Sequence, residues 1–170
     1  MIYLYGLQRS GTNVISEFLK TNYNITIVNK NVEKRDSIQH KHCRIYDNKK
    51  IIPDTNAGKQ YYNNYLIDSI IKLDTLLCDK TNTNKYILVY KDIFQWLPSI
   101  SKHAKSCNWK VQNKMDFIYD YKEFMKKWNE IKNERVLFIS YTEYLNLIIH
   151  NDITLKNKIE NFLNSENKNK

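Results

Sequence analysis

Apolar positions along the chain follow two different periods, and each period predicts a different kind of element. Short apolar runs of strand length occur at residues 2–7, 86–90 and 136–139. Unbroken runs of this kind are typical of strands that are buried on both faces. Residues 25–28 form another short run, which predicts a further strand.

Between these runs, apolar residues recur every three or four positions, which is the period of an amphipathic helix. The stripes predict helices over residues 59–77 and 113–132, and a helix directly after the first strand. Asp92 is placed to cap another helix, whose inward-facing residues are expected to be Phe94, Leu97 and Ile100. Two short helices are expected after residue 139, whereas residues 29–57 carry little periodicity and are expected to be irregular.

Strands that alternate with helices predict an α/β fold, namely a three-layer sandwich around a mostly parallel central sheet. A chain of 170 residues with 42% hydrophobic content suits one domain. We assign residues 1–164 to that domain and expect the polar residues 165–170 to fray. Ligands of such sheets bind at the carboxyl ends of the strands, so the loops after Leu7 and Tyr90 are expected to meet at the site.

Composition narrows the classes of function. The chain has 27 Lys and Arg against 18 Asp and Glu, a formal charge of +9, which favours anionic ligands of any kind. Its 3 cysteines include no C-x-x-C pair and cannot all pair with one another, so we expect a reducing compartment and no zinc site. No apolar run reaches the length of a membrane span and no signal-peptide pattern opens the chain, which predicts a cytoplasmic protein without a membrane partner.

The segment G-L-Q-R-S-G-T-N, residues 6–13, joins the first strand to the start of a helix, where unpaired backbone N–H groups favour an anion. Its two glycines have the Walker A spacing, but Thr12 and Asn13 stand where that motif carries its Lys and its Mg²⁺-binding hydroxyl. Arg9 instead offers a guanidinium that can bind phosphate or sulfate through two hydrogen bonds. The segment predicts a fold of the P-loop NTPase type with a phosphate site, and the missing Lys and hydroxyl argue against ordinary NTP hydrolysis.

The run Q-R-S-G-T-N after a strand resembles the 5′-phosphosulfate loop of the sulfotransferases, which use 3′-phosphoadenosine 5′-phosphosulfate (PAPS) without a metal. The resemblance implies that the 5′-phosphosulfate is contacted by Arg9, Ser10, Gly11, Thr12 and Asn13. It also implies that the 3′-phosphate is held by Lys91, at the end of a central strand, and by Ser99, eight positions later. Members of the family usually have Arg in place of Lys91, and Lys lacks the bidentate fork of Arg. The product would be 3′-phosphoadenosine 5′-phosphate.

Transfer of a sulfuryl group to a hydroxyl needs a base, and His is suited to that role at neutral pH. Some sulfotransferases carry a Lys or a Lys-His pair after the second strand. The resemblance therefore implies His42 as the base and Lys41 as the cation that supports charge on the transferred sulfate. The competing interpretation is that the segment around Lys41 and His42 is a solvated polar loop without a catalytic role. His40 and Glu33 are alternative bases. The family's Gly-rich segment near the C-terminus has no counterpart here, because no Gly follows Gly58.

Three functions stay open at this point. The foremost is a PAPS-dependent sulfotransferase that acts on a hydroxyl or amine of an unidentified carbohydrate, peptide or small molecule. A P-loop kinase of a nucleoside or small metabolite would use Asp92, after a Walker B strand, to bind Mg²⁺. A basic nucleic-acid-binding module would use exposed Tyr and Trp for stacking, but it would leave the anion loop unused, and the sequence contains no known nucleic-acid-binding motif.

Overall fold

The computed structural model describes residues 1–29, 41–42, 83–107 and 114–164. Within these ranges a parallel sheet is formed by three strands in spatial order: β1 (Ile2–Tyr5), β2 (Lys85–Tyr90) and β3 (Val136–Ser140). Leu4 pairs with Ile87, and Leu88 pairs with Phe138. Because the strands run parallel, their carboxyl ends share one edge of the sheet.

Helices connect and follow the strands. In chain order they are α1 (Thr12–Tyr23), α2 (Ile93–Ser106), α3 (Lys114–Glu130), α4 (Tyr141–His150) and α5 (Thr154–Asn164). Each strand sends alternate side chains to opposite faces, so the sheet requires helices on both. α1 and α4 begin close to the carboxyl ends of β1 and β3, which brings their N-termini to the edge where a ligand is expected.

One face of the sheet is covered by α2 and α3. Its apolar cluster contains Tyr5 and Leu88 from the sheet together with Trp96 and Trp128 from the helices. The other face is covered by α1 and α5, through a second cluster that includes Ile87 and Leu19. Helices on both faces of a parallel sheet make this an α/β protein with three layers, as the sequence predicts.

Most predicted elements are confirmed within the described ranges. β2 is buried along nearly all of its length, the helix predicted over 113–132 is observed as α3, and two short helices end the described chain. The predicted helix 59–77 and the tail 165–170 lie outside the described residues. No helix among the described residues is both long enough and apolar enough to cross a bilayer.

The predicted inward face of α2 is wrong in one respect. Asp92 does cap the helix, since its side chain accepts a hydrogen bond from the Phe94 N–H at 2.8 Å. Phe94 itself is 85% exposed, and the buried residues are Trp96, Ile100 and Ala104. These three recur every four positions on one side of the helix, whereas Phe94 lies about 200° away from Trp96.

Residues 25–28 were expected to form a strand, but they contribute only an isolated bridge between Ile27 and Ile2. Beyond the bridge, the side-chain amide of Asn29 pairs with the backbone of Leu4, accepting from its N–H and donating to its C=O at 2.9 Å each. Further along the same edge, the Gly6 N–H donates to the carbonyl of Lys41 at 2.9 Å. Separate segments thus satisfy the outer edge of β1 in place of a regular strand, and the last of them brings residue 41 to the end of β1.

A buried lysine fixes the last helix to the sheet. Lys85 is 6% exposed, and its Nζ donates to the carbonyls of Phe162 and Leu163 at 2.8 and 2.9 Å, at the C-terminal end of α5. We expect Lys85→Met to lower the free energy of unfolding by about 1–3 kcal/mol, because it removes the charged donor from both carbonyls. Urea denaturation measures this loss. Lys156→Met, at an exposed position of α5, is the matched control. Equal effects of the two substitutions on the free energy of unfolding would contradict this role for Lys85.

Candidate anion-binding site

The loop between β1 and α1 makes two left-handed steps. Arg9 has φ of 69° and Gly11 has φ of 96°. Both the N–H and the hydroxyl of Ser10 donate to the carbonyl of Leu7, at 3.1 and 2.7 Å, so Ser10 closes the turn from inside. Gly11 occupies the N-cap of α1 and has no side chain with which to cap the first turn. An uncapped first turn favours an anion through its N–H groups and the helix dipole.

The two glycines of the loop are required by close packing. A Cβ on Gly6 would stand 2.5 Å from the Val89 carbonyl oxygen and 2.7 Å from Cγ2 of Thr12. A Cβ on Gly11 would stand 2.5 Å from Cδ2 of Tyr141. The loop is therefore held between the end of β2 and the start of α4, and it keeps its shape because no side chain intervenes.

Arg9 lies beside residues from the end of the neighbouring strand. Its Nε is 3.5 Å from Oγ of Ser99 in α2. Lys91, directly after β2, has its pKa lowered first by burial and then by the positive charge of Arg9. The same two causes lower the pKa of His103, one turn after Ser99. The structure thus brings together Arg9, Lys91 and Ser99, which the sequence placed in one site, and adds His103, which the sequence gave no role.

Tyr141 is a site residue that sequence reasoning missed. The Nζ of Lys91 lies 4.3 Å from the centre of its ring, in a cation–π contact, and the same ring packs against Gly11. Tyr141 therefore links the lysine at the end of β2 to the loop at the end of β1. Its position directly after a buried strand was the available signal, because the first residue after each parallel strand falls at the ligand edge.

Lys41 and His42 lie against the anion loop. The Nζ of Lys41 donates to Oδ1 of Asn13 in the first turn of α1. Nδ1 of His42 is 2.7 Å from the carbonyl oxygen of Gly6. Since a carbonyl oxygen can only accept, Nδ1 carries the proton in this contact, and the lone pair of the neutral ring is on Nε2. A histidine in this tautomer can accept a proton at Nε2.

Asp92 and Thr12 both have structural functions here. The carboxylate of Asp92 caps α2, and Thr12 is 5% exposed with its methyl group near Gly6. The alternative bases His40 and Glu33 lie outside the described residues. Within the ranges that the structure describes, no three His, Cys, Asp or Glu side chains come close enough to hold a metal ion.

The site as a whole is a cationic edge built from four segments of the chain. It offers an uncapped helix N-terminus, a guanidinium, an ammonium in a partly desolvated position and a histidine with a defined tautomer. Such an arrangement can bind an anion and take a proton from a group beside it. Comparison of the chain with protein-family models, with curated proteins and with solved structures gives no match.

Because the pKa of Lys91 is lowered, we expect anion binding at this site to weaken at alkaline pH. A bound anion favours the charged amine, so binding takes up a proton and the affinity falls as pH rises through the lowered pKa. Inorganic sulfate keeps its charge over this range and is a suitable probe in thermal-shift titrations. We expect Lys91→Arg to abolish the alkaline loss of affinity, because a guanidinium stays charged. Lys105→Arg, at an exposed site on α2, should retain it, and the same loss in Lys91→Arg would assign the titration to another group.

Proposed function

We propose that the protein is a PAPS-dependent sulfotransferase with a P-loop-type nucleotide site and a histidine base. The observation that carries the proposal is the convergence of Arg9, Lys91 and Ser99 beside the uncapped start of α1. Arg9 and Ser99 are 90 positions apart in sequence, one in the loop after β1 and the other in α2. The positive charge of Arg9 disfavours the charged form of Lys91, and an anion bound between the two residues would offset this repulsion.

The site is suited to a nucleotide with two anionic ends. The N–H groups at the start of α1 and the guanidinium of Arg9 face one end, which is the 5′-phosphosulfate in this proposal. Lys91 and Ser99, at the end of β2 and on α2, are assigned to the 3′-phosphate. The absence of a side chain at Gly6 and Gly11 lets the loop pack closely against the end of β2 and against Tyr141, which holds its backbone in place for the ligand. When bound, PAPS supplies the sulfuryl group.

The transfer step assigns a separate task to each residue. The acceptor oxygen or nitrogen forms a bond to sulfur while the bond from sulfur to the bridging oxygen breaks, and the bonding electrons remain on the 5′-phosphate. Arg9 stabilises the charge that grows on this bridging oxygen, and Lys41 stabilises the sulfuryl oxygens. Nε2 of His42 takes the proton of the acceptor, since Nδ1 is already engaged with Gly6.

The kinase alternative has less support from the described residues. Its Mg²⁺ ligand would be Asp92, whose carboxylate accepts a hydrogen bond from the Phe94 N–H and caps α2. The residue at the position of the Walker lysine is Thr12, which is buried beneath the loop. No observation on the described residues favours nucleic-acid binding over the binding of a small anionic ligand at the loop between β1 and α1.

A titration with nucleotides tests the proposal. We expect 3′,5′-adenosine diphosphate to raise the melting temperature without metal, and to do so at lower concentration than 5′-AMP or Mg-ATP. Ser99→Ala should reduce the advantage of the 3′-phosphorylated nucleotide, whereas Ser106→Ala, on the exposed side of α2, should preserve it. A stronger response to Mg-ATP would replace the proposal with the kinase, and a response to single-stranded DNA alone would replace it with nucleic-acid binding.

A further inference from the structure

Two aromatic side chains beneath the site donate hydrogen bonds to the backbone that carries its cations. Trp96 of α2 is fully buried, and its Nε1 donates to the carbonyl of Gln8 at 2.8 Å. Tyr121 of α3 donates its hydroxyl proton to the carbonyl of Lys91 at 2.7 Å. Neither contact belongs to the regular hydrogen bonding of a helix or a strand.

Each of these carbonyls adjoins an anion-binding residue. The Gln8 carbonyl belongs to the peptide group whose nitrogen is that of Arg9. The hydrogen bond from Trp96 therefore fixes the orientation of the peptide plane that precedes Arg9, whose backbone is in the left-handed region. The Lys91 carbonyl lies between β2 and the capped start of α2, so Tyr121 fixes the backbone from which the ammonium extends.

The two donors also contact one another. The rings of Trp96 and Tyr121 have centroids 5.4 Å apart, tilted by 41°. They line a narrow apolar crevice together with Leu7, Ser10, Val89 and Phe124. Burial raises the pKa of Tyr121 to about 12, so its hydroxyl remains a proton donor throughout the neutral range. The two backbone segments are thereby connected through one rigid pair of rings.

We propose that Trp96 and Tyr121 are positioning residues that hold the loop of Arg9 and the backbone of Lys91 at a fixed separation, matched to a ligand with two anionic groups. The inference rests on the proposed function, because it identifies the two ends of that ligand. Trp96 acts on the 5′ end through the loop, and Tyr121 acts on the 3′ end through Lys91. Neither side chain needs to touch the nucleotide.

The test compares two nucleotides in three variants. Tyr121→Phe should weaken 3′,5′-adenosine diphosphate about threefold to tenfold and leave 5′-AMP unchanged, as expected for loss of one hydrogen bond. Trp96→Phe should weaken both nucleotides by similar factors, because both use the loop. Trp128→Phe is the matched control, since Trp128 is fully buried in the same cluster and its Nε1 has no partner among the described residues. Dissociation constants come from isothermal titration calorimetry, and melting temperatures report the loss of packing.

The outcomes separate this inference from the proposed function. A wild-type protein that prefers the 3′-phosphorylated nucleotide, with variants that follow the pattern above, supports both. The same preference with equal shifts in all three variants, or with no shift in Tyr121→Phe, overturns the positioning role and leaves the function standing. A wild-type protein that binds neither nucleotide overturns both. Binding of both nucleotides without preference for the 3′-phosphate rejects the donor, and the fixed-separation proposal is rejected with it.

Discussion

Replacing Arg9 with glycine is expected to weaken PAPS binding about tenfold to a hundredfold while raising the melting temperature. The loss follows from removal of the guanidinium, because hydrogen bonds to charged groups contribute about 1.5–3 kcal/mol. The gain follows from the backbone, since Arg9 has φ of 69° and a non-glycine residue in that region costs about 1–2 kcal/mol. Glycine also gives the unfolded chain more freedom, at a cost of about 0.5–1 kcal/mol, so the net gain is at most about 1.5 kcal/mol.

Arg9→Ala is the control that separates the two effects. Alanine removes the guanidinium but keeps a Cβ in the left-handed region, so it should lose the same affinity without the gain in melting temperature. Calorimetric titration with PAPS and thermal unfolding measure the two quantities in the same preparations. If Arg9→Gly binds PAPS as the wild type does, the guanidinium has no part in the site. If it unfolds at a lower temperature than Arg9→Ala, the left-handed step is unstrained.

His42→Ala is expected to lower turnover by about 10²–10⁴, the usual contribution of a positioned general base. The acid limb of the pH–rate profile should disappear with it, because in the proposed mechanism protonation of His42 removes the lone pair on Nε2 that takes the acceptor proton. Turnover is measured as acceptor-dependent conversion of PAPS, with the best acceptor found among phenols, sugars and tyrosyl peptides. An unchanged profile would transfer the base to another residue, with His40 and Glu33 the first to test.

A second substitution separates catalysis from anchoring at this position. The amide nitrogen of an asparagine can still donate to the carbonyl of Gly6, which the Nδ1 of His42 contacts at 2.7 Å. His42→Asn should therefore keep the affinity for PAPS and lose turnover, whereas His42→Ala should lose some of both. His150→Ala, at the exposed end of α4, should change neither. Full turnover in His42→Asn would show that the contact with Gly6 is the whole role of this residue.

Strands and most helices could be predicted because their signals are local. β2 is an apolar run, and the stripe of α3 contains Phe117, Phe124 and Trp128 at helical spacing. The sequence alone did not show which face of α2 is buried, because Phe94 and Trp96 are both large and apolar and lie on different sides of the helix. Packing against α3 decides that Trp96 is the buried one.

The local sequence pattern also did not predict which groups pair with the outer edge of β1. An apolar run at residues 25–28 suits a strand, but the hydrogen-bonding groups of Leu4 are taken by the amide side chain of Asn29. Such a replacement depends on how the chain returns to β1, and the local sequence pattern carries no information about that path.

The sequence by itself determined the parallel α/β architecture and predicted a phosphate-binding loop at residues 6–13, because periodicity and turn chemistry act over a few residues. Only the tertiary structure decided that Arg9 lies beside Ser99, that Lys91 rests on Tyr141 and that His42 bonds to Gly6. These contacts join segments far apart in the chain. Their distances are set by the packing of the sheet and its helices, and a pattern in one segment does not encode them.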